Sequence, residues 1–411
     1  MSEQATIGLS RRATAALLFA VFTAAVGYGV VLPVLPHVVE GLSSSASAGS
    51  IGWHTGFLAA VYAGAPLLFA PFWGWLSDCY GRRPVLLAGL VGFGATLAVT
   101  AFASSLLWLY AGRFLNGAFT AAILPAAQAF VGDRAVSDAW RARRFAWLGM
   151  ASIAGFFIGP MLGGIVFQAG STISGSMPAA QFLALPFLFS AGLAFISAVG
   201  IAGLDQGSAP LAPPPDRVTK DWHRATVAHL LVLAGFVAMG TTAFEVGLAL
   251  RGRALGMTPY QVGIMFAECS LVMFAVQALV FSPLMMPSST AKLILPAFAI
   301  MGAGLLLVAY AEAFAAQLIA VGAVAAGAGV LIPVLTYWIS LGAGDAQGAE
   351  LGRKAAVESF GQALGSAGVG YIAGAGAAPS LEFLLPAGLV LTAAAASLNL
   401  ARRLSARVIV E

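Results

Sequence analysis

Charge is what this sequence has least of. Asp, Glu, Lys and Arg make up 9% of its 411 residues, against 60% hydrophobic residues and a mean hydropathy of +0.92. A soluble globular domain carries roughly a quarter charged residues, so that class is excluded and a polytopic membrane protein is indicated. Cysteine is nearly absent. Cys79 falls in a predicted loop and Cys269 inside a predicted span, an arrangement that excludes a disulfide between them. His37, His54, His223 and His229 are scattered without metal-ligand spacing. The glycine pairs Gly27/Gly29 and Gly368/Gly370 lie in apolar runs, without the strand that a nucleotide-binding turn follows. No phosphate-binding loop, metal cluster or catalytic constellation is legible, so neither an enzyme nor an ATP-driven pump is expected, and no cofactor.

What the chain has in abundance is long apolar runs. A spanning helix takes about 20 apolar residues, and runs of that length fall at 14–36, 54–77, 84–104, 106–130, 145–168, 181–203, 225–250, 260–283, 291–310, 313–341, 353–376 and 381–402. The first is too long for a signal peptide and is read as a retained helix. Lys and Arg accumulate in loops that stay in the cytoplasm. With both termini inside, all of the 20 Lys and Arg except Arg113, Arg251 and Arg253 lie on the cytoplasmic side. An odd number of spans would scramble this asymmetry. The net charge of +4 is therefore accounted for by topology and implies no nucleic-acid partner.

The Pro-rich, charged stretch from Leu204 to Arg224 falls at mid-chain and reads as a cytoplasmic linker. It divides an N-terminal six-helix bundle, 1–203, from a C-terminal one, 225–411. Both halves contain a span that opens on a basic pair and continues with small residues at helical spacing, from Arg143 and from Gly352. The expected fold is all-α, with twelve transmembrane helices in two pseudo-symmetric six-helix bundles. Repeats of this kind suit a transporter whose halves rock about a central site.

Three stretches carry a resemblance. "GWLSDCYGRRPV", from Gly74 to Val85, sits in the turn between the second and third spans, where Gly74, Asp78, Gly81, Arg82 and Arg83 resemble the loop signature of the major facilitator superfamily. Arg113 and Gly117 in span four resemble that family's R-x-x-x-G motif. Gly155, Gly159, Pro160, Gly163 and Gly164 in span five resemble the signature of its antiporter branch, a helix-packing device of small residues four apart. "GYGVVLPVLP", from Gly27 to Pro36, is similar to the first helix of twelve-helix drug:proton antiporters of the tetracycline-exporter type. The resemblance implies a conformational latch at Gly74, Asp78, Gly81, Arg82 and Arg83, and a part for Arg113 in proton movement or substrate polarity. The glycine face of span five is expected where the two halves meet. Relatives with an acid ahead of the first-span run differ from this chain, which has Ala24 and Ala25 there.

Carboxylates inside spans are costly unless paired, protonated or facing water, so Glu245 in span seven, Glu268 in span eight and Glu358 in span eleven are functional candidates. Glu245 and Glu268 fall at similar depth on neighbouring spans and are the proton-coupling candidates with Arg113. Glu358, one to two turns from Arg353 and Lys354, is expected in a cytoplasmic ion pair or latch. Cavity candidates are the aromatic Tyr28, Tyr62, Phe119, Phe244, Phe266, Tyr337 and Trp338, with Asn116, Gln128 and Gln362 as sparse polar groups. So apolar a lining suits a lipophilic or amphipathic small molecule better than a sugar. The expected protein is a monomeric secondary transporter of the inner (plasma) membrane that exports such a compound against protons. The alternative is an uptake porter or uniporter for a small metabolite.

Overall fold

In hydrocarbon, backbone N–H and C=O groups find no water, so an apolar chain crosses only as helices that bond internally. The computed structural model describes residues 9–42, 47–134, 138–173, 179–204, 224–280, 287–342, 347–376, 380–400 and 404, and its regular structure there is helical. In chain order the helices are α1 (Arg11–Val31), α2 (Leu35–Leu42), α3 (Ala48–Tyr80), α4 (Arg82–Thr100), α5 (Leu106–Gly132), α6 (Asp138–Ile173) and α7 (Ala179–Ala202). They continue with α8 (Arg224–Ala254), α9 (Pro259–Val280), α10 (Ile294–Tyr310), α11 (Phe314–Gly342), α12 (Gln347–Gly374) and α13 (Leu381–Ala396). The predicted linker lies, apart from Leu204 and Arg224, outside the described residues.

Ten helices, α1 and α3 to α11, are long and apolar enough to cross a membrane. Among the described residues α12 falls below that standard, and α13 is shorter, at 16 residues. The first predicted span is divided: α1 ends at Val31, and a turn leads into the short helix α2. The cause is "LPVLP", since Pro33 supplies no backbone N–H with which the helix could continue. Ser10 and Ser105 start α1 and α5 by accepting the backbone N–H groups of Ala13 and Trp108.

Contacts group the chain into two compact units. The first comprises 1–34 and 65–214, the second 35–64 and 215–411, so the division passes through α3. In the first unit α1 packs on α6 and α7, and α4 on α5 and α7. In the second, α8 packs on α12 and α13, and α10 on α11 and α13.

Glycine sets the closest of these approaches. A Cβ on Gly159 would come 2.7 Å from the Val26 carbonyl oxygen, and one on Gly155 2.8 Å from Ala25 Cβ, while Gly163 meets the Val30 backbone. Pro160 reaches back to Gly29, whose own Cβ would stand 2.7 Å from the ring. The glycine face of span five, expected where two halves meet, thus packs on α1 within the first unit. Helix α1 itself offers Gly29 and backbone there, and so accepts it. In the second unit α8 and α12 are joined by Thr242, whose hydroxyl donates to the Gln362 carbonyl at 3.1 Å.

Because Gly159 faces backbone that cannot yield, Gly159→Leu is expected to destabilise the first unit by about 1–3 kcal/mol or more, the usual cost of overpacking. Its thermal midpoint in detergent should fall by several degrees. Gly149→Leu, at a position with open space around it, should leave the midpoint where it is.

Candidate transport site and latch

The loop that resembles the family signature is a one-residue turn. Gly81 has φ 93°, a left-handed conformation that glycine alone adopts without strain, and it lets α3 end at Tyr80 and α4 start at Arg82. The two arginines then point to different anchors. Arg82 Nε pairs with Asp133 Oδ2 at 2.9 Å, and its Nη1 donates to Ser77 Oγ at 3.1 Å. Arg83 donates to the carbonyl oxygens of Ile201 and Ala202 at the end of α7. The loop is thereby tied to the ends of α5 and α7 by charge-assisted bonds. Gly74 lies one to two turns earlier in α3, with room around it. The side chain of Asp78 lies outside the described residues. Glu358 pairs with Lys354 at 2.6 Å, four residues apart on α12.

Arg113 is 1% exposed in the middle of α5. One turn on, Asn116 Nδ2 donates to the Phe93 carbonyl at 3.3 Å and to Thr96 Oγ1 at 3.2 Å, joining α5 to α4. A buried guanidinium is expensive, and removing what compensates it is strongly destabilising.

Glu245 on α8 and Glu268 on α9 are each partly buried. Both carboxyls act electrostatically on the buried Cys269 thiol. Glu268 Oε1 lies against Gly322 of α11, where a Cβ would be 3.0 Å away, and Oε2 is occluded without a hydrogen-bond partner among the described residues.

The aromatic candidates divide. Tyr28 stacks on Phe156 at 5.7 Å, and Tyr337, Gln128 and Gln362 keep partial exposure. Phe244, Phe266 and Trp338 are packed, at 2%, 0% and 0% exposure, and Trp338 Nε1 donates to Thr290 Oγ1 at 3.1 Å. Tyr62 is buried at 7%, and Phe119 packs beside Trp73, whose Nε1 donates to the Ala118 carbonyl at 2.7 Å.

Three acids escaped the sequence reading. Asp133 anchors Arg82. Glu382, within the last predicted span, is 7% exposed in the first turn of α13, in electrostatic range of Arg251. Glu40 on α2 accepts a two-pronged contact from Arg253 at the end of α8, Nη2 to Oε1 at 2.6 Å and Nε to Oε2 at 3.2 Å. Its only sequence signal was the break at Pro33, which puts Glu40 on a separate short helix.

Long apolar helices, buried ionisable groups and a charged turn held by glycine define a multi-pass membrane transporter. The description of the Major Facilitator Superfamily fits residues 17–280, more than half of the chain, and the chain belongs to that family. The class H tetracycline resistance protein of Pasteurella multocida is 39% identical over 158 residues, 38% of this chain and 36% of that protein. The chain thus matches little more than a third of that relative's length. Multidrug resistance protein 2 of Bacillus subtilis (strain 168) is 26% identical over 366 residues, 85% of this chain and 86% of that protein. In fold, the crystal structure of a bacterial homolog of the human lysosomal transporter Spinster matches with TM-score 0.75 at 13% identity, covering 97% of this chain and 99% of that one.

The Arg253 hydrogen bond, aided by the positive fields of Arg253 and His37, holds the Glu40 carboxyl below its usual range against the opposing effect of burial. A carboxyl depressed in the folded state stabilises above its unfolded pKa and loses that contribution as pH falls through the folded one. Glu40→Gln is therefore expected to lower the thermal midpoint slightly at pH 7. The gap to wild type should close below about pH 4, near the ordinary glutamate pKa, in a midpoint-versus-pH series.

Proposed function

We propose that this transporter exports a small lipophilic or amphipathic compound in exchange for protons, with Glu245 as the principal proton-coupling group and Glu268 as its partner. The observation that carries the reading is the occluded Glu268 carboxyl on α9, set against Gly322 of α11, with Glu245 of α8 acting electrostatically on the same buried thiol, Cys269. The likeness to Multidrug resistance protein 2 over most of both chains supports an efflux role, and the scarcity of polar groups among the cavity candidates suits an apolar solute.

In this reading the chain has twelve spans, both termini in the cytoplasm and two six-helix bundles divided at 204–224. The matching helix pairs α1/α6 with α8/α12, and α4/α5 with α10/α11, support the repeat. The bundles alternate access to a central site. A carboxyl open to water exchanges its proton, and one enclosed by apolar helices must be neutral or matched by a cation. A cationic solute competing with protons for Glu245 would couple the two fluxes without a further relay. Arg113 fixes polarity in the other unit, and the Gly74–Arg83 loop latches one state. The protein works as a monomer in the inner (plasma) membrane.

Glu245→Gln imitates the protonated form. In liposomes with an imposed pH gradient it is expected to cut concentrative transport of a fluorescent lipophilic cation at least tenfold, while exchange without a gradient continues. Glu268→Gln should move the pH profile with a smaller loss. If Glu245→Gln still concentrates the dye with an unchanged pH profile, the assignment to Glu245 fails. If cells making the wild-type protein accumulate more dye rather than less, export itself is wrong and uptake replaces it.

A further inference from the structure

The first unit carries a concentration of positive charge that neither the latch nor the carboxyl pair uses. Helices α1 and α6 run parallel. Thr14 lies opposite Arg144, Ala25 opposite Gly155 and Val26 opposite Gly159, so both helices begin at the same membrane face. At that face α1 opens with Arg11 and Arg12, and α6 brings Arg143 and Arg144 to the same level. Among the described residues no hydrogen bond or ion pair engages Arg11, Arg12 or Arg143, and all three are exposed. The helix N-termini add partial positive charge of their own.

Arg144 is held differently. Its guanidinium lies over the ring of Trp147 at 4.2 Å and near that of Trp140 at 5.1 Å, and Nη1 donates to Thr14 Oγ1 at 3.4 Å. Tryptophan favours the headgroup level of a membrane, so the pair fixes this guanidinium at that depth. Beneath it Leu17 and Leu148 are buried, and with Leu18 they leave only a water-sized gap beside the guanidinium.

Four like charges at headgroup depth, with no carboxylate partner among the described residues, call for a ligand whose negative head sits at the membrane surface. We infer that the Arg11/Arg12/Arg143/Arg144 face is a binding site for an anionic phospholipid, its phosphate held by the guanidiniums and its acyl chains left in the surrounding bilayer. Basic pockets between spanning helices recognise acidic headgroups by this charge complementarity. Bound there, the lipid relieves repulsion between the starts of α1 and α6 and so steadies the glycine-packed pair. The site is independent of the transported solute and of the Glu245 assignment.

The test is the thermal midpoint of the full-length protein in detergent, titrated with phosphatidylglycerol or with phosphatidylcholine of the same acyl chains. Native mass spectrometry counts retained lipid in parallel. Phosphatidylglycerol is expected to raise the midpoint and to bind at least about tenfold more tightly than phosphatidylcholine. Arg143→Gln with Arg144→Gln should abolish that preference, and Arg11→Gln with Arg12→Gln should weaken it. Lys292→Gln with Arg353→Gln, which removes equal charge from the second unit, should retain it. Should the Arg143/Arg144 variant fold too poorly to assay, Arg144→Lys, which keeps the charge and loses the planar fork, should still show weakened retention of phosphatidylglycerol. The proposal is overturned if the Arg143/Arg144 and Lys292/Arg353 variants lose the preference alike, if wild type has no preference, or if inorganic phosphate alone stabilises as well as phosphatidylglycerol.

Discussion

A polypeptide in hydrocarbon must satisfy its own backbone, and the rest of this structure follows from that constraint. Helices answer it locally, but they leave nothing apolar to be gained by burying one leucine surface against another in lipid. Association then depends on how closely backbones approach. Here glycine does that work: Gly155, Gly159 and Gly163 lie on the α1 backbone, and Gly361 and Gly365 lie on that of α8. Side-chain bulk at those points would separate the helices and forfeit the dispersion contacts that hold them.

Polar groups are costly in such a fold, and those present are concentrated at joints. Arg82 and Arg83 tie a one-residue turn to the ends of two helices, Glu40 and Arg253 tie α2 to α8, and Asn116 ties α5 to α4. Glu245 and Glu268 differ from these. Both act electrostatically on the buried Cys269 thiol. Glu268 lies against Gly322, which links the packing of α9 and α11 to the proposed exchange.

The interfacial arginines show the same economy at the edge of the membrane. Charges in a protein this apolar would be expected to find partners, yet Arg11, Arg12 and Arg143 have none among the described residues. Their partner is sought outside the chain, in the lipid, because the stacking of Arg144 on Trp147 already sets the depth at which a phosphate would meet them.

Apolar runs, basic-residue asymmetry and the Gly74–Val85 stretch sufficed by themselves for an all-helical membrane transporter of this family, because hydropathy and short-range motifs are local properties of the chain. The Lys354–Glu358 pair was legible for the same reason, being four residues apart on one helix. The division of the first span was written at Pro33, yet the apolar count ran across it. Other features depended on which helices become neighbours. That Phe244, Phe266 and Trp338 are buried, that span five lies on α1, and that Glu40 meets Arg253 across more than two hundred residues were decided only by tertiary structure. Helical periodicity states which residues share a face, whereas the partner of that face is fixed by the close approach of backbones far apart in sequence.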